Sequence, residues 1–435
     1  MELGMHMAWQ LALNEINQGC NKNVVMSPIS IGNALNLLAF GSWGRTLEQF
    51  MQFLGAKNLN DLKAKSMLMV EAVAPTEDNN QGLILASLNT LWTNQAFSLK
   101  PSFTEFARTV FKAEAQTLDF VNQAERVRNE VNLWAKSATK GLIKELLPHG
   151  VINQDTILIL ANALYFKGAW LNAFNVKLTR HEDFYPLHGK PIRVPFMIAD
   201  KEKKHFYGSF KNFKVLKIPY QKGQDNRRFS MYVILPDKKD GLQDLVQNFN
   251  STPELFGDCF KVEEVNLSKM WIPKFKFSYG FDASRIMQNI GLTLPFKMVG
   301  DFIGMIDSLE SDKVFLSTIL HQSFIEVNEE GTEATALTFA PLLCGCSQYQ
   351  PPPPPSFVAD HPFIFTIREE ISGVVFFVGV AEIVRNEVNL WANNTTKGLI
   401  KEHLPHNATN KETIFILASA LYFKGTWLNA FDMNI

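Results

Sequence analysis

Residues Glu329–Phe357 read "EEGTEATALTFAPLLCGCSQYQPPPPPSF", and this stretch fits no ordinary element of a packed domain. It has no sustained 3.6-residue apolar stripe, it is too rich in small residues for a core strand, and it ends in a proline run, Pro351–Pro355. Taken as an extended strand it sorts by parity. Thr332, Ala334, Ala336, Thr338 and Ala340 share one face, while Glu333, Thr335, Leu337, Phe339 and Pro341 share the other. A strand with so small a face can slide between neighbours that are already packed. Gly331 supplies a hinge without a Cβ to restrict it, and the proline run favours an extended spacer. Two readings remain from the residues alone: a surface loop of no special purpose, or a segment with two homes, one outside the body and one inside a sheet.

The whole chain of 435 residues is 46% hydrophobic and has ample material for a large core. Lys+Arg 42 against Asp+Glu 43 gives a formal net charge of −1, which argues against a strongly basic nucleic-acid binder. The dense basic cluster Lys201–Lys204 contains Glu202 and reads as a solvated loop. No apolar run reaches the ~18 residues that a membrane span needs. The start, "MELGMHMAWQLALNEINQG", lacks the basic, apolar and small-residue sequence of a secretory signal, so a cytoplasmic location is expected. The sequon Asn250-Ser251-Thr252 matters only if the protein is exported by another route. Cys20, Cys259, Cys344 and Cys346 are too few for a disulfide framework, and Cys344 and Cys346 lack the partners of a metal site. No metal or cofactor is expected.

The first hundred residues read as helices. Ser27 then Pro28 is an N-cap with proline at the first helical position, and Gly41 closes that helix. Thr46 with Gln49 predicts a capping box for "LEQFMQFL", ended by Gly55. "PSFTEFARTVFKAEA" predicts another helix, and Val127, Val131, Trp134 and Ala138 recur at helical spacing. "TILILANALYF", Thr156–Phe166, is apolar almost without alternation, as a central strand with both faces covered would be. "FKVLKIPY", "FSMYVILP", "KMWIPKFKF" and "VVFFVGVAEI" add strands rich in β-branched and aromatic residues. Helices first and many strands later predict an α+β domain built on large sheets.

One segment recurs. Residues 127–174 return at 384–431, displaced by 257 positions, with 36 identities in 48 aligned positions. "RNEVNLWA" starts at Arg128 and again at Arg385, and "ALYFKG" at Ala163 and again at Ala420. Two distant copies do not make a solenoid. The division expected is one domain over residues 1–383 and a partial repeat of residues 127–178 over residues 384–435, read as a truncated second module.

"FIEVNEEGTEATA" followed by "FVADHPFIFTIREEISGVVFFVGV" resembles the hinge and C-terminal signature of the serpin family, in its plant branch. "NVVMSPISI", "LANALYFKGAW" and "WIPKFKFSYGFDAS" resemble further serpin segments in the family's order, so the likeness covers nearly all of residues 8–383. The resemblance implies a serpin fold with three β-sheets, about nine helices and an exposed reactive-centre loop at about residues 329–357. It implies a protease inhibitor that is not an enzyme: a target protease attacks the loop as a suicide substrate, forms a covalent acyl-enzyme, and is trapped when the hinge side inserts beside Thr156–Phe166. The partner implied is that protease, serine or papain-like, with no nucleic acid and no membrane; the inhibitor is implied to be a monomer open to polymerisation. Some plant relatives occur in the extracellular space.

The family's spacing from the hinge residues Glu330, Gly331, Thr332, Glu333, Ala334, Thr335 and Ala336 places the reactive bond at Gly345–Cys346, with Leu343 and Cys344 as bait positions just upstream. No basic residue lies between Gly331 and Phe357, which disfavours trypsin-like targets. Leu337 and Phe339 interrupt the family's run of small residues, and Pro341 lacks one ladder donor. Ser27, Ser30, Asn162 and His321 match family positions near the point where the main sheet parts, where a hydrogen-bond cluster would govern opening. Their plain alternative is a helix cap and a satisfied buried histidine. A non-inhibitory carrier, binding or storage protein is the second functional reading. A hydrolase has little support, since neither GxSxG nor HExxH occurs.

Overall fold

The structure is a computed structural model and describes residues 2–19, 22–74, 84–139, 141, 143–200, 202–222, 226–252, 260–298, 301–307, 313–329 and 353–382. Among these residues it contains eight α-helices and three β-sheets. The helices are α1 (Glu2–Asn17), α2 (Pro28–Gly41), α3 (Gly44–Phe53), α4 (Leu59–Ala72), α5 (Pro101–Val110), α6 (Ala124–Ala138), α7 (Leu242–Ser251) and α8 (Ser284–Asn289).

The main sheet has five strands. In spatial order they are β12 (Phe275–Asp282), β13 (Leu316–Val327), β4 (Leu158–Lys167), β2 (Ile84–Asn94) and β3 (Glu114–Leu118). Strand β4 is central, as its unbroken apolar run predicts, and only Tyr165 and Lys167 along it escape full burial. One face of β4 meets α2, with Leu158 and Leu160 in the largest core cluster. On the other face Ile159, Ala161 and Ala163 pack with Val127, Val131 and Ala135 of α6. Strands β4 and β13 are neighbours and run parallel, whereas β12 is antiparallel to β13 and β2 is antiparallel to β4.

Behind this layer lies a seven-stranded sheet. Its order is β1 (Val24–Met26), β16 (Val375–Ala381), β15 (Phe363–Glu369), β9 (Phe229–Pro236), β8 (Phe213–Pro219), β7 (Lys204–Phe210) and β10 (Glu263–Asn266). All residues of β9 and β16 are buried, which accounts for their continuous hydrophobic sequence. A four-stranded sheet of β14 (Ser356–Val358), β11 (Lys269–Pro273), β6 (Ile192–Ile198) and β5 (Arg180–Phe184) completes the body.

Three local expectations are corrected. No capping box forms at Thr46, because α3 starts two residues earlier and its N-cap Trp43 has no side-chain bond. Gln49 turns away, accepting from the backbone of Thr293 and Leu294, so tertiary partners outcompete the local cap. The helix predicted over "PSFTEFARTVFKAEA" stops at Val110: Lys112 takes a left-handed φ of 52°, and the chain turns into β3 beside β2. "KMWIPKFKF" is two strands, β11 and β12, in different sheets, with Lys274 between them.

Gly55 behaves as read. At φ +66° it ends α3 while Gly55 N donates to Gln52 O and Ala56 N to Met51 O, a Schellman pair. Gly41 is the last residue of α2, as read, and it also serves packing, since an added Cβ would lie 3.0 Å from Phe103 and closer still to Met305.

Candidate functional site

Helix α2 opens with Pro28 at its first position and Ser27 as N-cap, whose Oγ accepts from Ser30 N at 3.3 Å. One turn on, Ser30 meets the main sheet and its Oγ donates to Asn162 Oδ1 at 2.7 Å. Asn162 lies mid-way along β4, opposite His321 on β13 and Asn89 on β2. His321 Nδ1 stands 2.8 Å from Asn162 Oδ1, and Ser27 N donates to His321 Nε2 at 3.0 Å. Because Nε2 accepts that backbone N–H, the ring proton is assigned to Nδ1, which donates to Asn162. Ser323 Oγ, 2.8 Å from Nε2, donates to it as well. Asn162 Nδ2 donates to Leu88 O at 3.3 Å and to Asn89 Oδ1.

Ser27, Ser30, Asn162 and Ser323 are wholly buried, and His321 is 1% exposed. Burial pushes the His321 pKa down to about 3, so the ring is neutral at ordinary pH. The four residues singled out by sequence are thus brought together, and their bonds join α2, β2, β4 and β13. Ser323 and Asn89 are further members that sequence reading missed. The available signal was a polar residue on the inward parity of each strand.

The stretch beyond β13 is held just as firmly up to its last described residue. Trp170 Nε1 donates to Asn328 O at 2.8 Å, and Phe174 N donates to Glu329 O at 3.2 Å. Trp170 is itself stacked on Tyr220 at 4.4 Å. Glu329 is 4% exposed, and its carboxylate accepts from Thr179 Oγ1 at 2.7 Å and pairs with Lys274 Nζ at 2.6 Å. Burial would raise its pKa, but the bonds from Lys274 and Thr179 outweigh that and hold it below the ordinary carboxylate value.

At the other end of the segment, Pro355 O accepts from Ser268 N at 2.8 Å and from Ser268 Oγ at 3.1 Å. Ser356–Val358 then pairs in parallel with β11. None of Trp170, Thr179, Ser268 or Lys274 was legible as a site residue, because each matters only through its contact with a distant root. The hinge residues Glu330–Ala336, the bait positions Leu343 and Cys344, and the bond Gly345–Cys346 lie outside the described residues. Among the described residues no group of three or more His, Cys, Asp or Glu side chains is placed to hold a metal ion, and no helix is long and apolar enough to cross a membrane.

The family profile described as "Serpin (serine protease inhibitor)" matches residues 2–383 and, separately, residues 380–434. The chain belongs to the serpin family. Among curated relatives, this serpin is 41% identical to Serpin-ZXA of Oryza sativa subsp. japonica over 362 residues, covering 83% of this chain and 90% of that protein. It is 41% identical to Serpin-ZX of Arabidopsis thaliana over 361 residues, covering 82% and 91% respectively. These are plant-type serpins. Among solved structures, Arabidopsis AtSerpin1 in its native stressed conformation superposes with a TM-score of 0.79 at 38% identity, covering 87% of this chain and 96% of that one. Uncleaved ovalbumin, at 21% identity and a TM-score of 0.72, shares the fold. Serpins are protease inhibitors and not catalysts, and the general inhibitory role of this chain follows from its membership.

Proposed function

We propose that this serpin is a suicide substrate that traps its protease by inserting the hinge side of residues 329–357 into the main sheet. The observation that carries the reading is the parallel contact between β13 and β4, with Glu329 anchored just past the end of β13. A segment folding back from Glu329 runs antiparallel to β13 and therefore also antiparallel to β4. Entering between them, it replaces one parallel pairing with two antiparallel ones, which are slightly more stable per residue. A dozen new ladder bonds at ~1 kcal/mol net each supply ample drive. The small parity Thr332, Ala334, Ala336, Thr338 and Ala340 suits the packed side of that slot, and the cluster around His321 and Asn162 is the latch that must open.

The chemical step is an ordinary acyl transfer. The serine Oγ or cysteine Sγ of the protease attacks the Gly345 carbonyl carbon, the Gly345–Cys346 amide bond breaks, and the Cys346 amine leaves with a proton. Insertion then competes with the water that would hydrolyse the ester or thioester. With no basic residue near the bond, a serine protease that accepts small residues, or a papain-like protease reading Leu343 and Cys344, is the fitting target. The protein acts as a monomer in the cytoplasm, and residues 384–435, a partial repeat of residues 127–178, take no part in trapping.

Incubation with serine and papain-like proteases followed by denaturing electrophoresis tests the reading. A covalent adduct of the protease with residues 1–345, the part from Cys346 onward being released on denaturation, is expected, and cleavage without adduct or gain in heat stability refutes it. That second outcome would support a carrier, binding or storage protein, the reading that Leu337, Phe339 and Pro341 favour by interrupting the insertable strand.

A further inference from the structure

Strand β11 acts as a strut between the two roots of the loop. Ser268, just before it, holds Pro355 O, and Lys274, just after it, holds Glu329. Six steps of extended chain at roughly 3.3 Å each set these anchors about 20 Å apart. The outward surface of this strut therefore lies between the two roots.

That surface is cationic and aromatic. Lys269 is exposed and Trp271 half-buried, on the same parity of β11. Lys269 Nζ lies 5.2 Å from the Trp271 ring centroid, and Arg180 Cζ lies 5.0 Å from it. Arg180 directly follows Thr179, which itself bonds Glu329, so the pair of cations belongs to the loop's mounting. The only ion pair of exposed Arg180 among the described residues is with half-buried Glu182 at 3.6 Å, too long and too wet to neutralise it. Lys269 has no carboxylate within pairing distance among the described residues. Two cations held beside one indole form a preorganised binding site for carboxylates, to which they donate. The net charge of −1 supplies no general attraction for an acidic partner, so any such attraction is local.

We propose that Arg180, Lys269 and Trp271 form a second docking ledge for the target protease, and that the ledge selects proteases with acidic side chains bordering the active-site cleft. The proposal rests on the suicide-substrate reading, since only a protease closing on the loop is held above both roots. Cathepsin L, with an acidic surface, and papain, with a basic one, are the probes. The second-order rate of covalent complex formation is measured for the full chain, for Arg180→Gln/Lys269→Gln and for Lys269→Arg, at about 50 mM and 500 mM salt. Melting temperatures verify that each variant is folded.

The double variant is expected to react about tenfold more slowly with cathepsin L at low salt, to differ little at high salt, and to keep its papain rate. Lys269→Arg is expected to retain the unaltered rate. Adducts that form with equal rates and equal salt slopes in all variants overturn the ledge while leaving the suicide-substrate reading intact. An equal change with both enzymes also overturns it, and assigns the surface to the chain's own loop. If the unaltered chain forms no adduct with either enzyme, the papain-like form of the suicide-substrate reading fails and the ledge falls with it.

Discussion

Asn162 and His321 stand opposite one another on two adjacent parallel strands, and their side chains hydrogen-bond at 2.8 Å across the line where the main sheet would part. Separating β4 from β13 breaks that bond and uncovers a histidine that burial keeps neutral.

The sign of the resulting pH dependence follows from the direction of the shift. The folded His321 has a pKa of about 3, against an ordinary value near 6.5, so the opened or unfolded state binds the extra proton below pH 6.5. Its contribution to stability is therefore constant above pH 6.5 and declines as pH falls toward 3, by at most about 1.4 kcal/mol per pH unit. Thermal melting across this range, compared with His321→Gln, isolates the effect. A variant with the same acid slope as the unaltered protein would show that other groups carry it.

Glu329 is buried while its partner Lys274 is about one-third exposed. Lys274→Ala leaves the carboxylate with Thr179 as its one side-chain partner among the described residues, and a loss of about 1–3 kcal/mol is expected. The variant should also polymerise on mild heating, read by size-exclusion chromatography. Lys274→Ala/Glu329→Gln should recover part of the stability, because it removes the uncompensated charge.

Gly304 packs directly on the backbone of α2. A Cβ there would fall 2.7 Å from Gly41 O and 2.9 Å from Gly41 C, neither of which can move aside cheaply. Gly304→Ala is expected to cost about 2–3 kcal/mol in chemical denaturation. Gly55→Ala meets open space and suffers only from its φ of +66°, so about 1 kcal/mol is expected.

Thr332 begins the small parity of the loop. Thr332→Arg forces a long charged side chain toward the packed side of the slot, so trapping should give way to simple cleavage. Gel densitometry of adduct against cleaved inhibitor reads the partition, and an unchanged ratio would contradict insertion.

Removing residues 385–435 is expected to leave inhibition rate, solubility and melting temperature unchanged, as a repeat that takes no part in trapping predicts. A gain in inhibition on removal would instead mean that "TIFILASALYF", the second version of β4, competes for the main sheet.

Much of the fold was legible because its signals are local. Ser27 and Pro28 start α2, Gly55 supplies the left-handed end of α3, and the unbroken apolar run of β4 requires cover on both faces. The parity of residues 332–341 is likewise a property of neighbouring residues, and the family motifs made the site searchable. Thr46 and Gln49 misled because a capping box needs the same local residues but no better offer, and Gln49 found one in Thr293 and Leu294.

The sequence alone thus determined where α2 begins, which strand is central and which segment has two faces of unequal size. Tertiary structure decided that His321 meets Asn162 across 159 residues and that Lys274 rather than another cation grips Glu329. Those pairings depend on strand order, parallel register and the seating of α2. Such quantities are set by burying the whole core at once, and no short window of residues contains them.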